Sequence, residues 1–62
     1  MSAHAKLQGI VDALSAALVE ADKFDKGNSA AGTRVRGAAQ TAKTALQELR
    51  LEVQAAKTAK NG

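Results

Sequence analysis

The sequence has no cysteine, no proline, no tryptophan and no tyrosine, and its 62 residues include one histidine and one phenylalanine. Each gap closes a route. Without cysteine there is no disulfide and no thiolate metal site. Without proline nothing forces a helix to stop. With Phe24 as the lone aromatic ring, stacking of single-stranded bases has no platform. No apolar run approaches the roughly 20 residues that cross a bilayer. The first residues lack the basic stretch and apolar core of a secretory leader, so residence in the cytoplasm is expected.

Catalytic means are equally thin. His4 stands alone near the start, with no carboxylate pair and no thiol beside it, and catalysis or metal binding needs convergent partners. Gly27 and Gly32 belong to no phosphate loop ending in Lys-Ser or Lys-Thr. The acidic residues come singly, without calcium-loop spacing. No enzyme, metal, cofactor or small-molecule substrate is expected.

What the chain does have is alanine: 15 residues, against twelve larger aliphatic or aromatic ones inside it. Alanine favours helix but buries little area. Helix formation is therefore easy and tertiary adhesion scarce. A chain this short rarely supports a core unaided, and with disulfides and thiolate metals excluded, association with a second copy is the remaining remedy.

The pattern predicts an all-α fold: an antiparallel two-helix hairpin that dimerises into a four-helix bundle. Helix one spans about 3–26, opened by a Ser2 cap. Leu7, Ile10, Leu14, Ala17, Ala21 and Phe24 recur every three or four residues, widened by Val11 and Leu18. Asp12, Glu20, Asp22 and Lys23 read as lying off that face. Gly27 ends the helix in the left-handed conformation, and Asn28, with Ser29 as the alternative, caps the next. Helix two spans about 29–59. Its stripe is Val35, Ala38, Ala42, Ala45, Leu49, Glu52 and Ala56, broadened by Ala39, Leu46 and Val53. Glu52 interrupts that stripe. Helix two outlasts helix one, so the turns beyond about residue 54 lack a partner within the chain, and the end from Thr58 to Gly62 reads as loose. The expected core and subunit contact comprises Leu7, Ile10, Val11, Leu14, Leu18, Phe24, Val35, Ala42, Leu46, Leu49 and Val53.

The net charge is +3, which suits an acidic partner and equally suits simple solubility. The placing of the cations is more specific. Arg36, Lys43, Arg50 and Lys57 recur every seven positions, a line that drifts only about 20° per heptad. Lys23 and Lys26 close helix one, and Arg34 and Arg36 open helix two. With the Asn28 to Ala31 amides they form a candidate phosphate-binding corner at the turn. Ser29 belongs to the same corner. No recognition helix or zinc finger is evident. The pattern therefore points to duplex DNA held by its phosphates, with little regard for sequence.

The stretch Lys26-Gly27-Asn28-Ser29-Ala30-Ala31-Gly32-Thr33-Arg34-Val35-Arg36 resembles the chlamydial histone H1-like protein family, Hc1, in its Lys-Gly-Asn, paired alanines and Arg-Val-Arg. The similarity continues through Leu46 to Ala56 with Leu49, Arg50 and Glu52. It implies a bacterial nucleoid-associated protein that binds and condenses DNA, with an all-helical dimerising part. The family carries a long lysine- and alanine-rich tail. This sequence ends at Gly62, which weighs against strong compaction. Gly32 and Gly37 also stand where better helix formers are expected.

The expectation is therefore a homodimeric, histone-like DNA-binding protein of the nucleoid that bends, bridges or condenses duplexes. The alternative is a helical oligomerisation or protein-interaction module with an incidental basic surface. Binding to a membrane surface is disfavoured by the absence of tryptophan.

Overall fold

The computed structural model describes residues 2–61, which form two helices, α1 (Ala3–Asp25) and α2 (Ser29–Asn61), packed as a hairpin. Local chemistry sets both ends of α1 and the start of α2. Ser2 is extended, and its hydroxyl accepts from the Ala5 N–H at 3.1 Å, opening α1. At the other end the Gly27 N–H donates to Phe24 O at 2.9 Å and the Asn28 N–H to Lys23 O at 3.1 Å. This pair of bonds is a Schellman closure, and it requires a left-handed residue, which Gly27 supplies at φ 103°. The Asn28 side chain then accepts from Ala31 N at 3.1 Å and starts α2.

α1 ends one residue before the expected limit, at Asp25. α2 continues two residues beyond its expected end, so the stretch 58–61 read as loose is helical, and Gly62 lies outside the described residues. α2 runs unbroken through Gly32 and Gly37. At 1.5 Å per residue it is about 50 Å long against about 35 Å for α1, so its last two turns project beyond the start of α1.

The seam between the helices is narrow. On α2 it follows Ala31, Val35, Ala38, Ala42, Ala45, Leu49 and Glu52, in alternating steps of four and three. On α1 it takes Ile10, Ala17, Glu20 and Ala21. Ala31 is the one fully buried residue among those described. Gly32 has a separate reason to be glycine. The Phe24 ring lies over it so closely that a β-carbon would stand 2.5 Å from Phe24 Cδ1.

Glu20 corrects the sequence reading. It does not point away from the apolar face but sits half-buried in the seam beside Ala21, because Arg34 and Lys23 neutralise it there. Glu52 completes the α2 stripe that it was expected to interrupt, by pairing with Lys6 at 2.8 Å. Its second oxygen is buried without a hydrogen-bond partner.

The remaining apolar residues are not covered. Nine of the twelve larger ones are exposed, from 40% at Val53 to 69% at Leu18. At 100° per residue, Leu7, Val11, Leu14 and Leu18 form a stripe about a quarter-turn from the α1 seam. Ala39, Leu46 and Val53 form the matching stripe on α2. In an antiparallel hairpin the two stripes project to the same side. This aliphatic face lies opposite a face that carries the Lys6–Glu52 and Arg34–Glu20 pairs and a shallow groove of small residues, including Gly9, Ala13, Gly37 and Thr41.

Candidate nucleic-acid interface

The cations expected to meet a polyanion divide into two groups. Those at the turn are occupied. Lys26 Nζ lies 3.0 Å from Asp22 Oδ2, one helical turn back. Glu20 takes two cations at once, Lys23 at 3.5 Å through one oxygen and Arg34 Nε through the other. The hydrogen bond from Arg34, joined by the charges of Arg34 and Lys23, holds the Glu20 carboxyl below its ordinary range against the opposing pull of desolvation. The backbone there is partly committed as well. Of the four amides at the start of α2, that of Asn28 donates to Lys23 and that of Ala31 to the Asn28 side chain. Ser29 is exposed at the first position of α2.

The second group is free. Among the described residues Arg36, Lys43, Arg50 and Lys57 form no ion pair. All four are exposed, and Arg50 makes only a long 3.5 Å bond to Gln47, on its own helix. Seven-residue spacing on an unbroken helix sets them about 10 Å apart over about 31 Å. The line starts on the outer side of α2 at Arg36 and drifts towards the rim of the aliphatic face by Lys57. Glu48 and Glu52 lie on the other side of α2, with Glu52 in the seam, so no carboxylate of this helix stands in the ribbon.

The structure thus brings Lys23, Arg34 and Glu20 together at the turn, with Lys26 on Asp22 beside them, and leaves Arg36 at the near end of the ribbon. The carboxylate the sequence reading missed is Glu20. Only part of its signal is local: it stands three residues after Ala17 and three before Lys23, while Arg34 reaches it from the other helix. Of the expected contact residues, Ile10, Val35, Ala42 and Leu49 lie in the seam. Leu7, Val11, Leu14, Leu18, Leu46 and Val53 lie on the open aliphatic face, and Phe24 covers Gly32. No group of three His, Cys, Asp or Glu side chains among the described residues could hold a metal ion. No described helix is long and apolar enough to cross a membrane.

The sequence profile of the histone H1-like protein Hc1 family matches residues 4–59. The chain belongs to that family. The match takes in both helices and the turn, including all four ribbon cations. No curated protein and no solved structure matches the chain.

Proposed function

We propose that this chain is a histone-like, nucleoid-associated protein that binds duplex DNA through its phosphates, as a homodimer, with little sequence preference. The observation that carries the reading is the row of four unpaired, exposed cations along one side of α2 in a chain of the histone H1-like family. The row is about as long as one turn of duplex, about 34 Å, so all four charges lie within reach of one stretch of backbone. The turn corner, whose cations are compensated by Glu20 and Asp22, contributes less. Lys23, Lys26, Arg34, Asn28 and Ser29 then act as a secondary contact to phosphate, behind Arg36, Lys43, Arg50 and Lys57. Work in the cytoplasm, on the nucleoid, follows from this partner.

Exposed area supports dimerisation. A folded monomer of 6.4 kDa is expected to expose about 3,800 Å², and this chain exposes 4804 Å². The surplus is of the order of the roughly 800 Å² that each partner buries in a standard interface. Six of the nine exposed large apolar side chains, Leu7, Val11, Leu14, Leu18, Leu46 and Val53, stand together on the aliphatic face and make it the candidate contact.

A titration of duplex DNA at several salt concentrations tests the DNA reading. Neutralising four phosphates per ribbon gives a slope of log affinity on log salt near −3.6, and about a hundredfold loss between 50 and 200 mM salt. Replacing Arg36, Lys43, Arg50 and Lys57 by glutamine should abolish most of that slope, while replacing Lys23 and Arg34 should change it far less. Affinity indifferent to salt, or unchanged in the ribbon variant, refutes the reading. In that event the open aliphatic face favours a second reading, a helical interaction module whose basic surface only keeps it in solution.

A further inference from the structure

We propose that the second copy stacks on the aliphatic face with both turns at the same end of the bundle, placing the two cation ribbons on opposite edges so that one dimer holds two duplexes. This rests on the reading above, in which the aliphatic face is the subunit contact and the ribbon meets DNA.

Two hairpins stacked face to face can be related by a two-fold axis along the bundle or across it. The first lays each α2 antiparallel over the partner's α1. The second lays α1 over α1 and α2 over α2, with the turns at opposite ends. Hairpin register is set by the Lys6–Glu52 and Arg34–Glu20 pairs, which put Ala39 at the height of Leu14 to Leu18 and Leu46 at the height of Leu7 to Val11. In the same-end form, Leu14 and Leu18 therefore straddle the partner's Ala39, and Leu7 and Val11 straddle the partner's Leu46. In the opposite-end form, the register that seats a large residue on a small one puts Leu46 of one copy on Ala39 of the other. Each form sets the small Ala39 against leucines of the other copy, so packing does not choose between them.

Charge does. The opposite-end form sets the two ribbons side by side on a single edge. With Leu46 over Ala39, Lys43 faces its own copy and Arg36 comes beside Arg50. Six of the eight cations then crowd about 22 Å of edge with no carboxylate among them, and like charges directly opposed repel. In the same-end form each ribbon runs beside the outer edge of the partner's α1, which offers Asp22, Ser15 and Gln8. Arg36 and the partner's Asp22 point to the same edge within about two residues of the same height, about 3 Å along the axis. Asp22 is two-thirds exposed and reaches Lys26 with one oxygen. It can accept Arg36 with the other. Of the remaining cations, Lys43 and Arg50 face outward on both edges, and Lys57 follows at the rim of the aliphatic face. A particle with one basic edge on each side cross-links duplexes, whereas one with a single basic edge coats one duplex.

The absence of cysteine makes the orientation measurable in the whole chain. Lys26→Cys puts one spin label per copy at the turn. The same-end form gives a label separation of about 20 Å and the opposite-end form about 40 Å, from the helix rise and interaxial spacing. In parallel, a bead-bound duplex plus protein should retain a second, fluorescent duplex at low salt. The short distance together with capture is the expected result. Reversing one charge, Asp22→Arg, should weaken dimerisation about tenfold, and adding Arg36→Asp should restore it. The long distance, or binding to the bead-bound duplex without capture of the second, overturns the proposal. A monomeric mass overturns the dimer itself, and no DNA retention at low salt overturns the DNA reading. These two failures are thereby told apart from a wrong orientation.

Discussion

The two broad faces of the hairpin solve the same problem differently. On one, small residues and two cross-helix ion pairs close the surface from within the chain: Lys6 reaches Glu52 and Arg34 reaches Glu20. On the other, Leu7, Val11, Leu14, Leu18, Leu46 and Val53 remain open to water. The difference teaches where the free energy of this fold resides. Exposed ion pairs contribute about 1 kcal/mol or less each, while burying a leucine contributes about 1.5–3 kcal/mol. The first face sets the register of the hairpin. The second holds the apolar area that covering would turn into stability.

The largest break in this comparison comes from the aliphatic face. Leu14→Asp with Leu18→Asp removes two buried leucines per chain from the proposed contact, at about 2–5 kcal/mol each. Dimerisation should weaken by at least about a thousandfold in sedimentation equilibrium, with helicity falling alongside. Ala13→Gln with Thr41→Gln, on the other face, should stay within about 0.5 kcal/mol of the parent. Comparable losses on both faces would erase the distinction.

A smaller effect separates two glycines that look alike in the sequence. Nothing lies within 4 Å of a β-carbon built on Gly37, whereas one on Gly32 meets the Phe24 ring. Gly37→Ala should raise stability by about 0.5–1 kcal/mol, seen as several degrees in the melting midpoint. Gly32→Ala should gain nothing, because the ring must move. A loss at Gly37 would mean that the ion-paired face is also packed against a partner.

The smallest effect is in acid. The Glu20 carboxyl titrates below its ordinary value in the folded chain, chiefly through its bond from Arg34. Its contribution is therefore complete above the unfolded-state value and is lost as pH falls through the lowered one. Glu20→Gln should melt slightly below the parent at neutral pH and match it once both are taken below the carboxylate range. A constant gap in melting midpoint down to strong acid would show that the ion pair is not the source.

Much of this was readable in the residues themselves. Ser2, Gly27 and Asn28 act within five positions along the chain, and capping chemistry depends on little else. The alternation of threes and fours on α2 located its seam. Glu20 and Glu52 were misread for the opposite reason. Their partners lie 14 and 46 positions away, and a periodicity argument scores a carboxylate as polar without knowing what neutralises it. Gly32 was read as a weak helix position because its cause, the Phe24 ring, arrives from the other helix. The heptad of cations was plain in the sequence. That the turn cations are compensated while the heptad is free depended on the side-chain geometry.

The most direct test of the two-faced account is a dilution series of the intact chain, from about a hundred micromolar to below one, with mass by sedimentation and helicity by circular dichroism at each step. The account predicts a dimer that loses mass and helicity together. A fully helical monomer that persists at the lowest concentration would contradict it.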